Sequence, residues 1–231
     1  MKILTIMGTP HKGNTRAIVD LFLKKFEDGN NTFDEIVLPN DFRSICGGCA
    51  NCILNGEDKC PHYNEINPLI KKIENADLII IGTPVFLGSC TGALKVFLDH
   101  LAYMWLVHRP KACMFNKVSL IVTSAGGSGV KETVKLIKSN LFYLGVPQIF
   151  NYGVTTMKMG GNYSEYKNKD KIIKQVNNKA YKIKKTLKNN KVGFKTKFFF
   201  KLFGLTQKNG WNKTDSDYWK KQGWINGKRP F

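Results

Sequence analysis

With 231 residues, 42% of them hydrophobic, the chain can bury a full core, which excludes a disordered protein and suits one globular domain with an appendage. The formal charge of +19 is uneven: residues 1–150 carry 16 Lys and Arg against 13 Asp and Glu, whereas residues 151–231 carry 20 against 4. The apolar run Ile3 to Met7 is too short for a secretory core or a membrane span, so a cytoplasmic protein with reduced cysteines is expected.

KILTIMG (2–8) is an apolar run closed by glycine, and ADLIIIGTP (76–84) and KVSLIVTSAGG (117–127) repeat the form. Runs so uniformly apolar read as strands covered on both faces, as in a parallel sheet. TFDEIVLP (32–39) supplies a second strand in chain order and QIFNYGVTT (148–156) a fifth. Between them, Ile18, Leu21, Phe22 and Phe26 mark a first helix, and Asn67 and Pro68 start a short one before the third strand. Leu94, Phe97, Leu98 and Leu101 mark the next, followed by Val134, Ile137, Leu141 and Leu144, closed by Gly145 and Pro147. A last stripe runs through Ile172, Ile173, Val176, Ala180, Ile183 and Leu187, and beyond about residue 190 the pattern fails. The expectation is an α/β fold, a doubly wound five-stranded parallel sheet over residues 1–190, with a basic aromatic extension over 191–231 that packs on the domain or on a second subunit.

Ligands of such sheets bind outside the carboxyl ends of the strands, which directs attention to three loops. In GTPHKGNTRAI (8–18), Thr9, Asn14 and Thr15 offer side-chain donors while Gly8 and Gly13 permit close backbone approach. The loop suits a phosphate held by backbone amides at a helix start, with His11 and Lys12 as added charge; the plain alternative is a helix cap and a solvated loop. GTPVFLGSCTGALK (82–95) presents Val85, Phe86 and Leu87 before Gly88, fit for the flat face of a ring or for packing on a neighbour. TSAGGSG (123–129) brings backbone to a ligand edge or only makes a tight turn. Asp99 and His100, adjacent on one helix, read as a solvated face, so no acid or base is nominated.

CGGCANCILNGEDKC (46–60) concentrates four of the six cysteines. Cys46, Cys49, Cys52 and Cys60 are separated by two, two and seven residues, and Gly47 and Gly48 allow the unusual backbone angles of a compact turn. The spacing is open to a metal cluster, a zinc ion or a dithiol switch. Cys90 and Cys113 read as small-residue packing, and His62 as a surface residue.

The three loops resemble those of the flavodoxin-like NAD(P)H-dependent FMN reductase family, whose first loop reads G-S-P-R followed by G-N-T; here stand Gly8-Thr9-Pro10-His11 and Gly13-Asn14-Thr15. GTPVFLGSCTGALKVFLD is similar to the family's second-loop segment, and the likeness covers residues 1–155. It implies an FMN phosphate on Thr9, His11, Asn14, Thr15 and nearby amides, with His11 where the family often has Arg. It further implies an isoalloxazine against Pro84, Val85, Phe86, Leu87 and Gly88, with Thr123, Ala125, Gly126 and Gly127 closing the site. The cysteine pattern resembles the iron-sulfur flavoprotein branch, which implies a [4Fe-4S] cluster on Cys46, Cys49, Cys52 and Cys60. The function implied is NAD(P)H-dependent reduction of a small acceptor (quinone, flavin or nitroaromatic) in a dimer or tetramer, or single-electron carriage between cluster and FMN.

KNNKVGFKTKFFFKLFG (188–204) interleaves Lys with Phe. Packing against the body of the protein, an anionic membrane surface and, less favoured, single-stranded nucleic acid are the readings open to it.

Overall fold

The computed structural model describes residues 1–156 and 169–231. Five strands, β1 (Lys2–Met7), β2 (Thr32–Val37), β3 (Leu78–Pro84), β4 (Val118–Ala125) and β5 (Gln148–Thr155), form one sheet in the order β2-β1-β3-β4-β5. Every pairing is parallel. Helices α1 (Asn14–Phe26), α3 (Tyr63–Asn75), α4 (Gly92–Asp99), α5 (Val130–Tyr143) and α6 (Lys169–Lys188) cover both faces, and a four-residue α2 (Asn51–Leu54) sits in the cysteine stretch.

Strand alternation explains the two cores. Ile3, Met7, Leu78, Ile80, Val118, Leu120 and Val122 point to the face covered by α1 and α6, through Ile18, Val19, Phe22, Val176 and Ile183. Leu4, Ile6, Ile79, Ile81 and Ile121 point to the other, against Ile66, Ile70, Leu94, Phe97 and Ile137 of α3, α4 and α5. The central strands β1, β3 and β4 are therefore apolar at nearly every position, because neither of their faces meets water, whereas the edge strands β2 and β5 carry polar residues.

Two chain segments depart from the periodicity reading. The helix before β3 begins at Tyr63, not at Asn67, and encloses Pro68. Proline removes the bond to the carbonyl four residues back, that of Asn64; both residues are exposed, so water can satisfy that carbonyl and the interruption is tolerated. Beyond residue 190 the chain is helical again, as α7 (Phe194–Lys208) and α8 (Lys213–Lys221). Phe200, Trp219 and Trp224 form a third core there with Leu106 and Phe115, so these helices pack on the body of the chain. α7 lies outside a single-stripe pattern because its apolar side chains occupy more than one side.

Gly8 ties the sheet to α4. Its N–H donates to the Gly82 carbonyl at 2.8 Å, and its own carbonyl accepts from Thr91 Oγ1 at 2.6 Å. A Cβ at this position would lie 2.7 Å from Thr91 Oγ1 and 3.0 Å from Thr83 Oγ1. Gly8→Ala is expected to cost about 1–3 kcal/mol through this overpacking, read as a lower urea midpoint with unchanged slope.

Candidate functional site

The loops after β1, β3 and β4 meet at the carboxyl end of the sheet, where strand order reverses between β1 and β3. They bound a cleft of about 560 Å³ lined by Thr9, His11, Gly13, Asn14, Thr15, Pro84, Val85, Phe86, Leu87, Ser124, Ala125, Gly126, Gly127, Ser128 and Thr156. That volume lies within the range of cofactor pockets.

One end of the cleft is built for an anion. α1 starts there with Gly13 as its cap, has no side-chain hydrogen bond to its first amides, and carries no acidic residue in its first turn. Its free N–H groups and positive dipole end thus remain available. Asn14 Oδ1 is buried with no hydrogen-bond partner among the described residues, which marks a polar group awaiting a ligand or water. Thr15 Oγ1 and Ser124 Oγ lie 2.6 Å apart and join the α1 start to β4. A neighbouring depression reaches Asp20, Glu35 and Asp41; those carboxylates would repel a phosphate, whereas no carboxylate lines the main cleft.

The other end is apolar. Phe86 and Ser89 exchange backbone hydrogen bonds at 2.8 and 2.9 Å, folding residues 86–89 into a tight turn. Leu87 and Gly88 close it at φ +45° and +77°. Val85 N–H donates to the Ser124 carbonyl at 2.8 Å, so this turn is fixed to β4. Phe86 and Leu87 are left exposed at the tip. These features fit a phosphate-bearing flat ring system: an uncapped helix start for the anion, apolar walls for the ring.

The cysteine stretch forms a separate surface site. Gly48 (φ +67°) and Ala50 (φ +57°) turn the chain sharply between Cys46 and Cys52. Cys46 and Cys49 are exposed, Cys52 and Cys60 half-buried, and all four are free thiols. Burial first, then the proximity of Cys60, Cys46 and Cys49, push the Cys52 thiol up, so the four sulfurs lie within electrostatic reach of one another. Around one zinc ion, tetrahedral sulfurs would sit about 3.8 Å apart. Among the described residues the set whose ligand atoms lie within 4.8 Å of one another is instead Cys60, His62 and His100. Four free thiols on one short loop supply the ligand type that iron-sulfur clusters take.

His62 and His100 are not the solvated residues the sequence suggests. His100 is only 5% exposed. Its Nδ1–H donates to the Val96 carbonyl at 2.8 Å, its ring stands edge-on to Phe42, and its Nε2 lies 2.9 Å from half-buried His62 Nδ1. Adjacent helix residues diverge, so while Asp99 faces solvent and pairs with Lys95, His100 turns inward.

The carbonyls at the end of α2 find their donors far away in sequence. Arg109 reaches the carbonyls of Cys52 and Ile53 through its guanidinium, and Asn212 Nδ2 and Thr214 Oγ1 donate to Ile53 and Leu54. Arg109 is buried and paired with the fully buried carboxylate of Asp215, whose other oxygen lies 2.8 Å from His108 Nδ1. Trp219 Nε1 donates to the His108 carbonyl at 2.6 Å and Tyr218 to that of Pro110 at 2.7 Å. α8 therefore clamps both the cysteine loop and the segment that carries Arg109.

Most of the expected cofactor residues converge. Thr9, His11, Asn14, Thr15, Pro84, Val85, Phe86, Leu87, Ala125, Gly126 and Gly127 share the cleft, whereas Gly88 and Thr123 do not line it. Thr123 is fully buried within the sheet, and its neighbour Ser124 takes the cleft position. Ser124, Ser128 and Thr156 are additional lining residues; alternation along β4 is the signal that separates Ser124 from Thr123.

A parallel sheet of this strand order, with an anion-receptive helix start and an apolar slot at the reversal point, is that of a flavodoxin-like flavoprotein. The chain belongs to the NADPH-dependent FMN reductase family, whose pattern matches residues 1–158. It is 30% identical over 149 residues to an iron-sulfur flavoprotein of Methanocaldococcus jannaschii, covering 62% of this chain and 72% of that one. An iron-sulfur flavoprotein of Archaeoglobus fulgidus is 29% identical over 111 residues, 48% of this chain, and the aligned part spans about half (49%) of that relative's length. In fold, the chain is similar to the NAD(P)H:quinone oxidoreductase from Methanothermobacter marburgensis, with a TM-score of 0.62, 15% identity and coverage of 78% of this chain and 97% of that one.

Proposed function

We propose that the protein is a cytoplasmic NAD(P)H-dependent oxidoreductase that holds FMN in the 560 Å³ cleft and reduces a small acceptor of the quinone, flavin or nitroaromatic type. The observation that carries this reading is the uncapped start of α1 beside the unpartnered Asn14 Oδ1, facing an apolar slot across one continuous cleft. Thr9, His11, Asn14 and Thr15 bind the phosphate; Pro84, Val85, Phe86 and Leu87 lie against the ring, and Ser124, Ala125, Gly126 and Gly127 bound its other edge. Bound FMN supplies hydride acceptance from the nicotinamide and electron delivery in ones or twos. The protein's own contribution is orientation: Ser124 locks two loops together through Thr15 and Val85, and the apolar turn excludes water from one side. Exposed Phe86 and Leu87 at the cleft mouth suit cover by a second subunit, in a dimer or tetramer.

A second reading rests on the cysteine loop. Cys46, Cys49, Cys52 and Cys60 hold a [4Fe-4S] cluster, and the protein relays single electrons between that cluster and FMN. Four free thiols in mutual reach support it, as do relatives named iron-sulfur flavoproteins.

Anaerobic purification with absorbance, iron, acid-labile sulfide and nicotinamide oxidation measured on one sample tests both. We expect FMN near one per chain and turnover with a quinone acceptor. A flavin spectrum without iron sinks the cluster and leaves the reductase; iron and flavin without turnover favours the carrier.

A further inference from the structure

α7 is apolar on two opposite sides. Phe200 and the buried Thr196 and Gln207 face the body of the chain. At 100° per residue, Phe194, Phe198, Leu202 and Leu205 fall within an arc of about 80° on the far side. They are 83%, 52%, 44% and 55% exposed. Phe194 and Phe198 stack on each other with ring centroids 6.3 Å apart, so the stripe is continuous at its start.

Lysines rim this stripe. Lys197, Lys201 and Lys208 follow one edge, all exposed. Exposed Lys195 stands on the other edge, where it shares a groove of about 540 Å³ with Lys135 and Lys138 of α5. α7 contains no Asp or Glu.

We propose that this face docks on an anionic lipid bilayer, with α7 parallel to the membrane plane, its Phe and Leu side chains in the headgroup–acyl boundary and its lysines on the phosphates. Amphipathic surface helices bind membranes by this pairing of apolar area with flanking cationic charge. No helix among the described residues is long and apolar enough to cross a membrane, and a stripe of four side chains on 15 residues needs only to lie on one. Charge complementarity selects this occupant. Two copies meeting through the stripe would bring like lysine rims and two +19 chains together, which electrostatics opposes. Nucleic acid would call for stacking platforms along a groove, whereas half of this stripe is leucine on a convex helix. The proposal does not depend on FMN or a cluster.

The test is flotation of the full-length flavin-loaded protein with vesicles of about one-third phosphatidylglycerol in phosphatidylcholine, against phosphatidylcholine alone, at about 0.1 M and 0.5 M salt. Binding to the anionic vesicles should exceed that to neutral ones by about tenfold or more and weaken with salt. The Phe198→Ser/Leu202→Ser double variant, altered only at exposed positions, should lose about tenfold in binding with flavin content and nicotinamide oxidation unchanged. Lys197→Gln/Lys201→Gln/Lys208→Gln should lose affinity and show a shallower salt dependence. The proposal is overturned by equal partition to both vesicle types, by no binding at low salt, or by serine variants that bind as the parent does. It is also overturned by a short single-stranded oligonucleotide that displaces the vesicles through the same residues, or by a concentration-dependent dimer, without lipid, that the serine variant abolishes.

Discussion

Asp215→Ala is expected to cost about 3–5 kcal/mol of stability, the range for breaking a buried ion pair by deleting one partner. The loss follows from what remains: a buried Arg109 guanidinium left with the half-buried Glu57, 3.3 Å from its Nε and shared with Lys111, in a site sealed by Trp219 and the α2 carbonyls. Arg109 keeps its hydrogen bonds to Cys52 and Ile53 but loses its one fully buried counter-charge. Urea denaturation followed by tryptophan fluorescence measures it. Arg109→Met/Asp215→Ala should recover part of the loss, because no lone charge stays buried; a double variant worse than either single would show that packing, not charge, governs the site. A loss under about 1 kcal/mol would mean that Arg109 swings into solvent and that the clamp is weak.

Gly129→Ala is expected to weaken FMN binding by about tenfold or more. Gly129 caps α5 at φ +93°, where an L side chain costs about 1–2 kcal/mol. Its added Cβ would lie 2.7 Å from Val85 Cγ1 and 3.0 Å from the Gly88 Cα. Relief requires the turn at residues 85–88 to move away from the loop after β4, opening the slot between them. Quenching of flavin fluorescence on titration with apoprotein reads the affinity directly. Unchanged affinity together with a lowered melting temperature would place the ring elsewhere than between these loops.

The sheet was legible because its three central strands are apolar at both parities, a pattern that few other environments produce, and glycine closes all three of those runs. The β1 and β3 loops were equally plain, since the small and hydroxyl residues before α1 and the apolar tip before α4 are local features. What escaped depends on distant partners or competing local rules. Pro68 looks like a helix start and is an interior residue, because the carbonyl it deprives is exposed. His100 follows Asp99 on α4 and is buried where Asp99 is not, a difference set by Phe42 and His62 rather than by the helix itself. Thr123 and Ser124 both satisfy the β4 composition, and only the phase of alternation along the strand separates the one that faces the cleft. Nothing near α2 announces that its carbonyls are met by Arg109, Asn212 and Thr214.

The long reach of that clamp has a kinetic side. Cys60 emerges from the ribosome about 155 residues before Asp215, which at ~5–20 residues per second is roughly 8–30 s. During that interval Arg109 has only Glu57 to pair with and the loop lacks Asn212 and Thr214, so all four thiols are present before their scaffold is complete. Adventitious metal or oxidant meets a loose loop; only the chain extended through α8 presents a shaped one. The loop that carries the four thiols is therefore shaped late, in an order set by the direction of synthesis itself.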